Sequence, residues 1–382
     1  TTVISSSPTD SPRALLDQIL PSHLIDLTAT RRTLGAVLGP GWTTLLYSFS
    51  DDSLQIIWLS DEACEAQVVP NDLRLQQLIR QASMASYRYY TYNDVPFVQS
   101  RTSRPWDGLR RLSENLIPPK VRARLDPQRR LLIVPAGMLH GLPWAALRID
   151  DTWLAERAII QVVPALSLAP QLATCHPQGR AGIFLGCSSF HGRAKPLPMV
   201  TSEIEQLATA WPGPQRRLRD ADATRNGLRA ALAELGPELA ALHVASHAQL
   251  LPGQGRAAHL KLSDGDLGLN EIAALRLGGA TIVLSACDGA AADVLVGEEV
   301  FSLSWAFLAA GAAGVIASLW PLADSASQPL IAAFYAALRR GDDPALALAL
   351  AQRSLLATNS GPQIWAGLLA TGFLGVPTNA GE

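Results

Sequence analysis

The sequence predicts an α/β protein with a mainly parallel central β-sheet and helices on both of its faces. From about Leu131 onward, short apolar runs alternate with amphipathic helical patterns, and the runs are apolar on both sides, as buried parallel strands are. Before that point polar and apolar positions alternate around a turn, which is the pattern of antiparallel strands. The expected division is an N-terminal α+β region over residues 1–125, a hairpin or meander plus helices, packing on a core domain over 126–382.

The elements follow in order. WTTLLYSFSDDSLQIIWLSDEACEAQVVP (42–70) alternates around the turn-forming pair Asp51-Asp52, and residues 72–116 read as mostly helical, interrupted by the tyrosine-rich YRYYTYNDVP (87–96). LLIVPA (131–136), AIIQVV (158–163), AGIFLG (181–186), LAALHVAS (239–246), ATIVLSA (280–286) and AGVIASLW (313–320) read as strands. Between them, TSEIEQLATAW (201–211) keeps Ile204 and Leu207 on one helical face, and ATRNGLRAALAEL (223–235) follows Asp222 as the expected N-cap. LNEIAAL (269–275), EEVFSLSWAFLAA (298–310), SQPLIAAFYAALRR (327–340) and an Ala/Leu-rich stretch after Pro344 complete the helices. The uncharged stretch Ser302 to Ala323 is long enough to span a bilayer, but Gly311 and Gly314 divide it into a core helix, a turn and a buried strand that Pro321 stops.

A chain of 382 residues, 48% hydrophobic and 17% charged, can bury a core without disulfides or a metal. Its formal net charge of −2 supplies no basic field for nucleic acid or anionic lipid, so neither is an expected partner. Aromatics interleaved with arginine at 87–96 can stack single strands, yet one short cluster without such a field reads as a packed loop. Cys64, Cys175, Cys187 and Cys287 lack CxxC spacing and no signal peptide opens the chain, which points to a reducing cytoplasm. The start, TTVISSS, has no initiator methionine and is that expected of a piece of a longer protein.

Parallel sheets build their sites outside the carboxyl ends of the strands. Two apolar runs end there on reactive side chains: LHVASHAQL (242–250) on His247 and TIVLSACDG (281–289) on Cys287. Alternation places His243, Ala245 and His247 on one face, and His247 alone is far enough along to leave the core, so His243 reads as structural. If the strands are neighbours, imidazole and thiol share one rim, as a cysteine nucleophile and its base require. A strand-end cysteine is otherwise commonly a buried structural one, the reading for Cys64, Cys175 and Cys187. Small residues around Cys287 leave room for a substrate backbone. The seven histidines form no HExxH or other metal set, and no phosphate-binding glycine loop or G-x-S-x-G elbow is present, so no metal or cofactor is expected.

Seven blocks in a fixed order carry a resemblance: LLIVPAGMLHGLPWAAL (131–147), TWLAERAIIQVVPALSL (152–168), KPLPMVTSEIEQLA (195–208), LHVASHAQ (242–249), LSACDGA (284–290), GEEVFSLSWAFLAAGAAGVIASLWPLAD (297–324) and IWAGLLATGF (364–373). They resemble the CHAT domain, a prokaryote-rich branch of the caspase-like and separase-like cysteine peptidases of clan CD. The resemblance implies a caspase-like fold with a pseudo-caspase N-terminal region, Cys287 as nucleophile, His247 as general acid/base, and an oxyanion hole from the backbone N–H groups of Cys287 and Ala248. It also implies an S1 pocket lined by Ser318, Leu319, Trp320 and Asp324, with Asp324 either receiving a basic P1 side chain or capping the helix that follows, and Ser285 as a further lining residue. The loop Asp288, Gly289, Asp293 to Gly297 is the expected place of activation. The family has glycine where Ala248 stands; a left-handed backbone there would cost alanine about 1 kcal/mol. His140, within LHGLPWAAL, is expected to be structural.

The function implied is limited cutting of a protein partner in bacterial defence or programmed cell death, for example of a gasdermin or toxin precursor encoded nearby, under an upstream or separate sensor. The competing expectation is a caspase-fold scaffold whose dyad is idle.

Overall fold

The computed structural model describes residues 27–91, 104–190, 192–249, 258–285, 293–294, 300–301, 303–320, 324–358 and 360–372. Its centre is one eleven-stranded sheet. Numbered along the chain, the strands are β1 (Thr43–Phe49), β2 (Ser53–Ser60), β3 (Cys64–Pro70), β4 (Arg130–Val134), β5 (Ile159–Val162), β6 (Ala181–Gly186), β7 (Gln215–Arg219), β8 (Leu239–Ala245), β9 (Thr281–Ser285), β10 (Gly314–Ser318) and β11 (Leu368–Gly372). The spatial order is β3-β2-β1-β4-β5-β11-β10-β9-β8-β6-β7.

Two parallel blocks make up this sheet. β1, β4, β5 and β11 run one way, β10, β9, β8, β6 and β7 run the other, and the blocks meet at the antiparallel pair β10 and β11. The hairpin expected at Asp51-Asp52 is present as the antiparallel pair β1 and β2, with β3 beyond it. β1 then pairs with β4 in parallel, so the strands of the first 125 residues continue the same sheet. The six apolar runs are strands, buried along almost their whole length.

The main helices are α1 (Leu27–Leu38), α2 (Leu73–Thr91), α3 (Arg104–Leu116), α4 (Val200–Ala210), α5 (Arg225–Leu235), α6 (Leu269–Ala273), α7 (Leu303–Ala309), α8 (Asp324–Arg339) and α9 (Pro344–Ala357). α4 packs on β6 where Gly186 leaves space, since a Cβ there would lie 2.5 Å from Ile204 Cγ1. The uncharged stretch resolves into α7, a turn at Gly311 with φ of +87°, and β10. Among the described residues no helix is long and apolar enough to cross a membrane.

Three local expectations change. The N-cap of α5 is Thr224, whose Oγ1 accepts from Gly227 N–H at 2.9 Å, because Asp222 is taken up in a 3-10 turn over Asp220–Asp222. α7 begins at Leu303 rather than near residue 298, since Val300–Phe301 pairs in antiparallel fashion with Asp293–Val294. The tyrosine-rich stretch is helical as far as Thr91, and 92–96 lies outside the described residues.

The sheet contains polar joints. Gln161 on β5, fully buried, donates to Gly372 O at 3.3 Å and accepts from Arg130 Nη1 at 2.9 Å, while Arg130 Nη2 pairs with Asp343 at 2.5 Å. Asp343 in turn caps α9, accepting from the N–H groups of Ala345 and Leu346. A second joint lies on β8: the fully buried His243 meets Tyr335 Oη through Nδ1 and Glu203 Oε1 through Nε2, both at 3.0 Å. His243 is thereby structural, tying β8 to α4 and α8.

Candidate active site

The rim at the carboxyl ends of β8, β9 and β10 brings several expected residues together. Ala245 is paired with Ser285, and Leu284 with Ala317, so Ser285 and Ser318 end their strands at one level. His247 lies two residues beyond Ala245. Cys287, two residues beyond Ser285 in sequence, lies outside the described residues, as do Asp288, Gly289 and Gly297.

Two contacts from the loop between β6 and α4 hold the His247 imidazole. Its Nε2 is 2.8 Å from the carbonyl oxygen of Lys195, and its ring centroid is 4.8 Å from that of Phe190. A carbonyl only accepts, so Nε2 carries the proton and Nδ1 is left as the basic nitrogen. A carboxylate partner is therefore not needed to fix the tautomer. Neither Phe190 nor the Lys195 carbonyl was signalled by the sequence as part of the site; KPLPMV marks the loop only as the start of one block of the resemblance.

On the other side of His247 the chain enters a three-stranded antiparallel sheet formed by Ala248–Gln249, His259–Leu262 and Gly265–Gly268. Ala248 faces Leu260, and Lys261 N–H donates to His247 O at 2.9 Å. Those two facts make 247 and 261 the hydrogen-bonded pair and 248 and 260 a non-hydrogen-bonded one. The Ala248 N–H accordingly points away from the strand at 259–262. The backbone of Ala248 is extended, and among the described non-glycine residues only Asp150 and Asp220 have positive φ. The cost that a left-handed alanine would bring does not arise.

The expected pocket residues are less open. Ser318 and Trp320 are each 1% exposed and Leu319 7%, with Leu319 N–H donating to Gly367 O and the Trp320 indole N–H to Gln363 O at 3.1 Å. α8 begins at Asp324, whose side chain lies outside what the structure describes, as does that of Asp293.

The other thiols and imidazole fit structural roles. Burial pushes the Cys187 and Cys175 thiols up, and Cys187 contacts Ser263 Oγ at 3.4 Å. Cys64 is exposed on the edge strand β3. His140 follows β4, packs edge-on against Trp305 at 6.0 Å, and is held down to a pKa of about 4 by burial. Between 6.5 and about 4 the unfolded chain binds a proton that the folded chain does not. The stability from a neutral His140 is thus complete above pH 6.5 and is lost as pH falls through 4, about 3 kcal/mol in all. Replacing His140 with phenylalanine should flatten urea-unfolding free energy between pH 7.5 and 4.5; an unaltered pH slope would show that another group carries it.

A mainly parallel sheet flanked by helices, with the expected site residues at the carboxyl ends of its central strands, fits the caspase-like α/β class. Solved structures agree: a Saccharomyces cerevisiae separase-securin complex at 3.0 Å gives a TM-score of 0.58 with 9% identity over 91% of this chain and 31% of that one. A second such complex, at 2.6 Å, gives 0.56 with 11% identity over 94% and 33%. The CHAT domain profile matches residues 107–373, and the chain belongs to the CHAT domain family. Tetratricopeptide repeat protein 28 of Homo sapiens is 40% identical over 77 residues, 20% of this chain and 3% of that protein. The chain thus spans about a third of the separase chains and a small fraction of the human relative.

Proposed function

We propose that this chain is a cysteine endopeptidase in which Cys287 is the nucleophile and His247 the general acid/base. The observation that carries the reading is the imidazole itself: it stands at a strand end, oriented by the Lys195 carbonyl, with Nδ1 as its basic nitrogen. His247 and Cys287 are each two residues past the matched pair Ala245 and Ser285 on neighbouring strands, which supports a dyad. Nδ1 takes the thiol proton, the thiolate adds to a scissile carbonyl, and the same proton passes to the leaving amine as the acyl-enzyme forms. Water then hydrolyses the thioester. The N–H groups of Ala248 and Cys287 stabilise the oxyanion, each contributing about 3 kcal/mol.

Asp324 is assigned to a basic P1 side chain with Ser285 as a further lining residue, the buried Ser318, Leu319 and Trp320 backing that pocket rather than opening into it, and the segment from Asp288 to Gly297 is assigned to activation. The substrate is a protein, processed by limited cuts in the cytoplasm. By family resemblance the setting is bacterial antiphage defence or programmed cell death, with a gasdermin or toxin precursor from a neighbouring gene as the substrate. The separase structures were solved with securin bound, which favours a protein partner here too. The alternative, an idle scaffold, draws on the missing glycine after His247; an extended Ala248 withdraws that argument.

A peptide library with arginine, lysine, aspartate or leucine at P1, assayed with wild type and Cys287→Ala, tests the reading. Turnover confined to wild type is expected, and equal background from both proteins would overturn it. Asp324→Ala should erase the preference for basic P1 residues, whereas an unchanged profile would remove Asp324 from the pocket.

A further inference from the structure

The carbonyl that orients His247 sits on an exposed limb of chain, and something must hold that limb still. The loop between β6 and α4 is closed at its base, where Leu197 N–H donates to Ser188 O at 2.9 Å. Ser188 is itself pinned from the end of β7: its N–H and its Oγ both donate to Asp220 Oδ1 at 2.8 Å. Asp220 makes that reach with a φ of +40°, a left-handed conformation that an aspartate adopts at some cost. Further out, Arg193 N–H closes a turn onto Phe190 O at 2.9 Å. Arg193 and Lys195 are both exposed, and neither belongs to a strand.

Arg193 spans from this limb to the hairpin. Its Nη2 donates to Leu262 O at 2.6 Å and Ser263 O at 2.8 Å, and its Nη1 lies 3.6 Å from Asp266. Leu262 is on the strand whose Lys261 N–H bonds His247 O, and that strand pairs with Ala248. The same guanidinium therefore joins the segment that supplies the Lys195 carbonyl to the segment that presents the Ala248 N–H. The imidazole lies between them.

We propose that Arg193 is a positioning residue: by clamping the loop to the hairpin it fixes the Nε2–H tautomer and the direction of the His247 ring. The proposal deepens the peptidase reading, since a fixed Nδ1 is what a thiol would use, but its structural content stands without turnover. Lysine can reach the carbonyls yet lacks the planar fork that serves both the carbonyls and Asp266. Arg193→Lys should consequently fall between wild type and Arg193→Ala.

The test uses nitrogen NMR of the His247 ring above neutral pH together with steady-state kinetics on any peptide the library identifies. Wild type should show a predominant Nε2–H tautomer, and Arg193→Ala a mixture of the two. Where turnover exists, kcat for Arg193→Ala should fall about 10- to 100-fold with KM within about twofold, the pattern of a misplaced group rather than a lost binding contact. An unchanged tautomer in a folded Arg193→Ala protein overturns the proposal, whatever the kinetics. A shifted tautomer with no turnover from either protein keeps Arg193 as a clamp and counts against the peptidase reading alone.

Discussion

His247→Ala is expected to lower peptidase turnover by about 100- to 10,000-fold, the range for removing a general base. The loss should be chemical rather than structural, because the imidazole is half-buried on the rim and, among the described residues, its ring makes one hydrogen bond and one aromatic contact. Both contacts remain in the variant as an empty cradle, with a carbonyl acceptor on one side and the Phe190 ring on the other. Free imidazole added to His247→Ala should refill that cradle and restore part of the rate, most strongly above the imidazole pKa, where the neutral base predominates. The measurement is turnover of the best library peptide against imidazole concentration and pH. A variant that keeps most of the wild-type rate would remove His247 from the chemistry.

His243→Phe should have the largest effect on stability. The histidine is fully buried and bridges Glu203, whose side chain is 13% exposed, to Tyr335, which is 2% exposed. Phe184, Trp211 and Phe334 are ring neighbours of Tyr335, so the setting offers a stranded carboxyl group little water. Leaving a buried hydrogen-bonding group without its partner costs about 1–3 kcal/mol, whereas replacing both members with apolar residues can be close to neutral. Urea unfolding should therefore show a large loss for His243→Phe and a partial recovery for His243→Phe with Glu203→Leu. A single-variant loss below about 1 kcal/mol would mean that the joint contributes little. The tyrosine answers to the same environment, its hydroxyl pushed well above the usual range by burial first and by Glu203 second.

How far the sequence carried depended on what each element touches. β4, β5, β6, β8, β9 and β10 are legible because buried parallel strands must be apolar on both faces. β7, read from QRRLR, is not: it is the edge of the sheet, and its arginines meet Glu205 and Glu234 at the surface, the composition that blunts an edge. β11 was hidden differently, since LLATG is short and its place is set by distant partners on β5 and β10. Of the site, His247 was visible as a reactive residue at a strand end. Its orienting partner was not, because a backbone carbonyl has no letter of its own. The hairpin at 259–268 was likewise missed, and with it the reason that alanine is acceptable at 248.

β11 also has a bearing on when this protein can work. It follows all the other described strands in the chain, yet it lies in the middle of the sheet, between β5 and β10. During synthesis the two parallel blocks can each collect their strands, and the Arg130–Asp343 and Arg353–Ala155 contacts already tie α9 to the first block, but the sheet itself becomes continuous only once residues 368–372 have emerged. A chain interrupted before that point is left with two open sheet edges where the finished molecule has a seam. The rim that carries His247 lies on one side of that seam, so the strand that flanks β10 there is supplied late in synthesis.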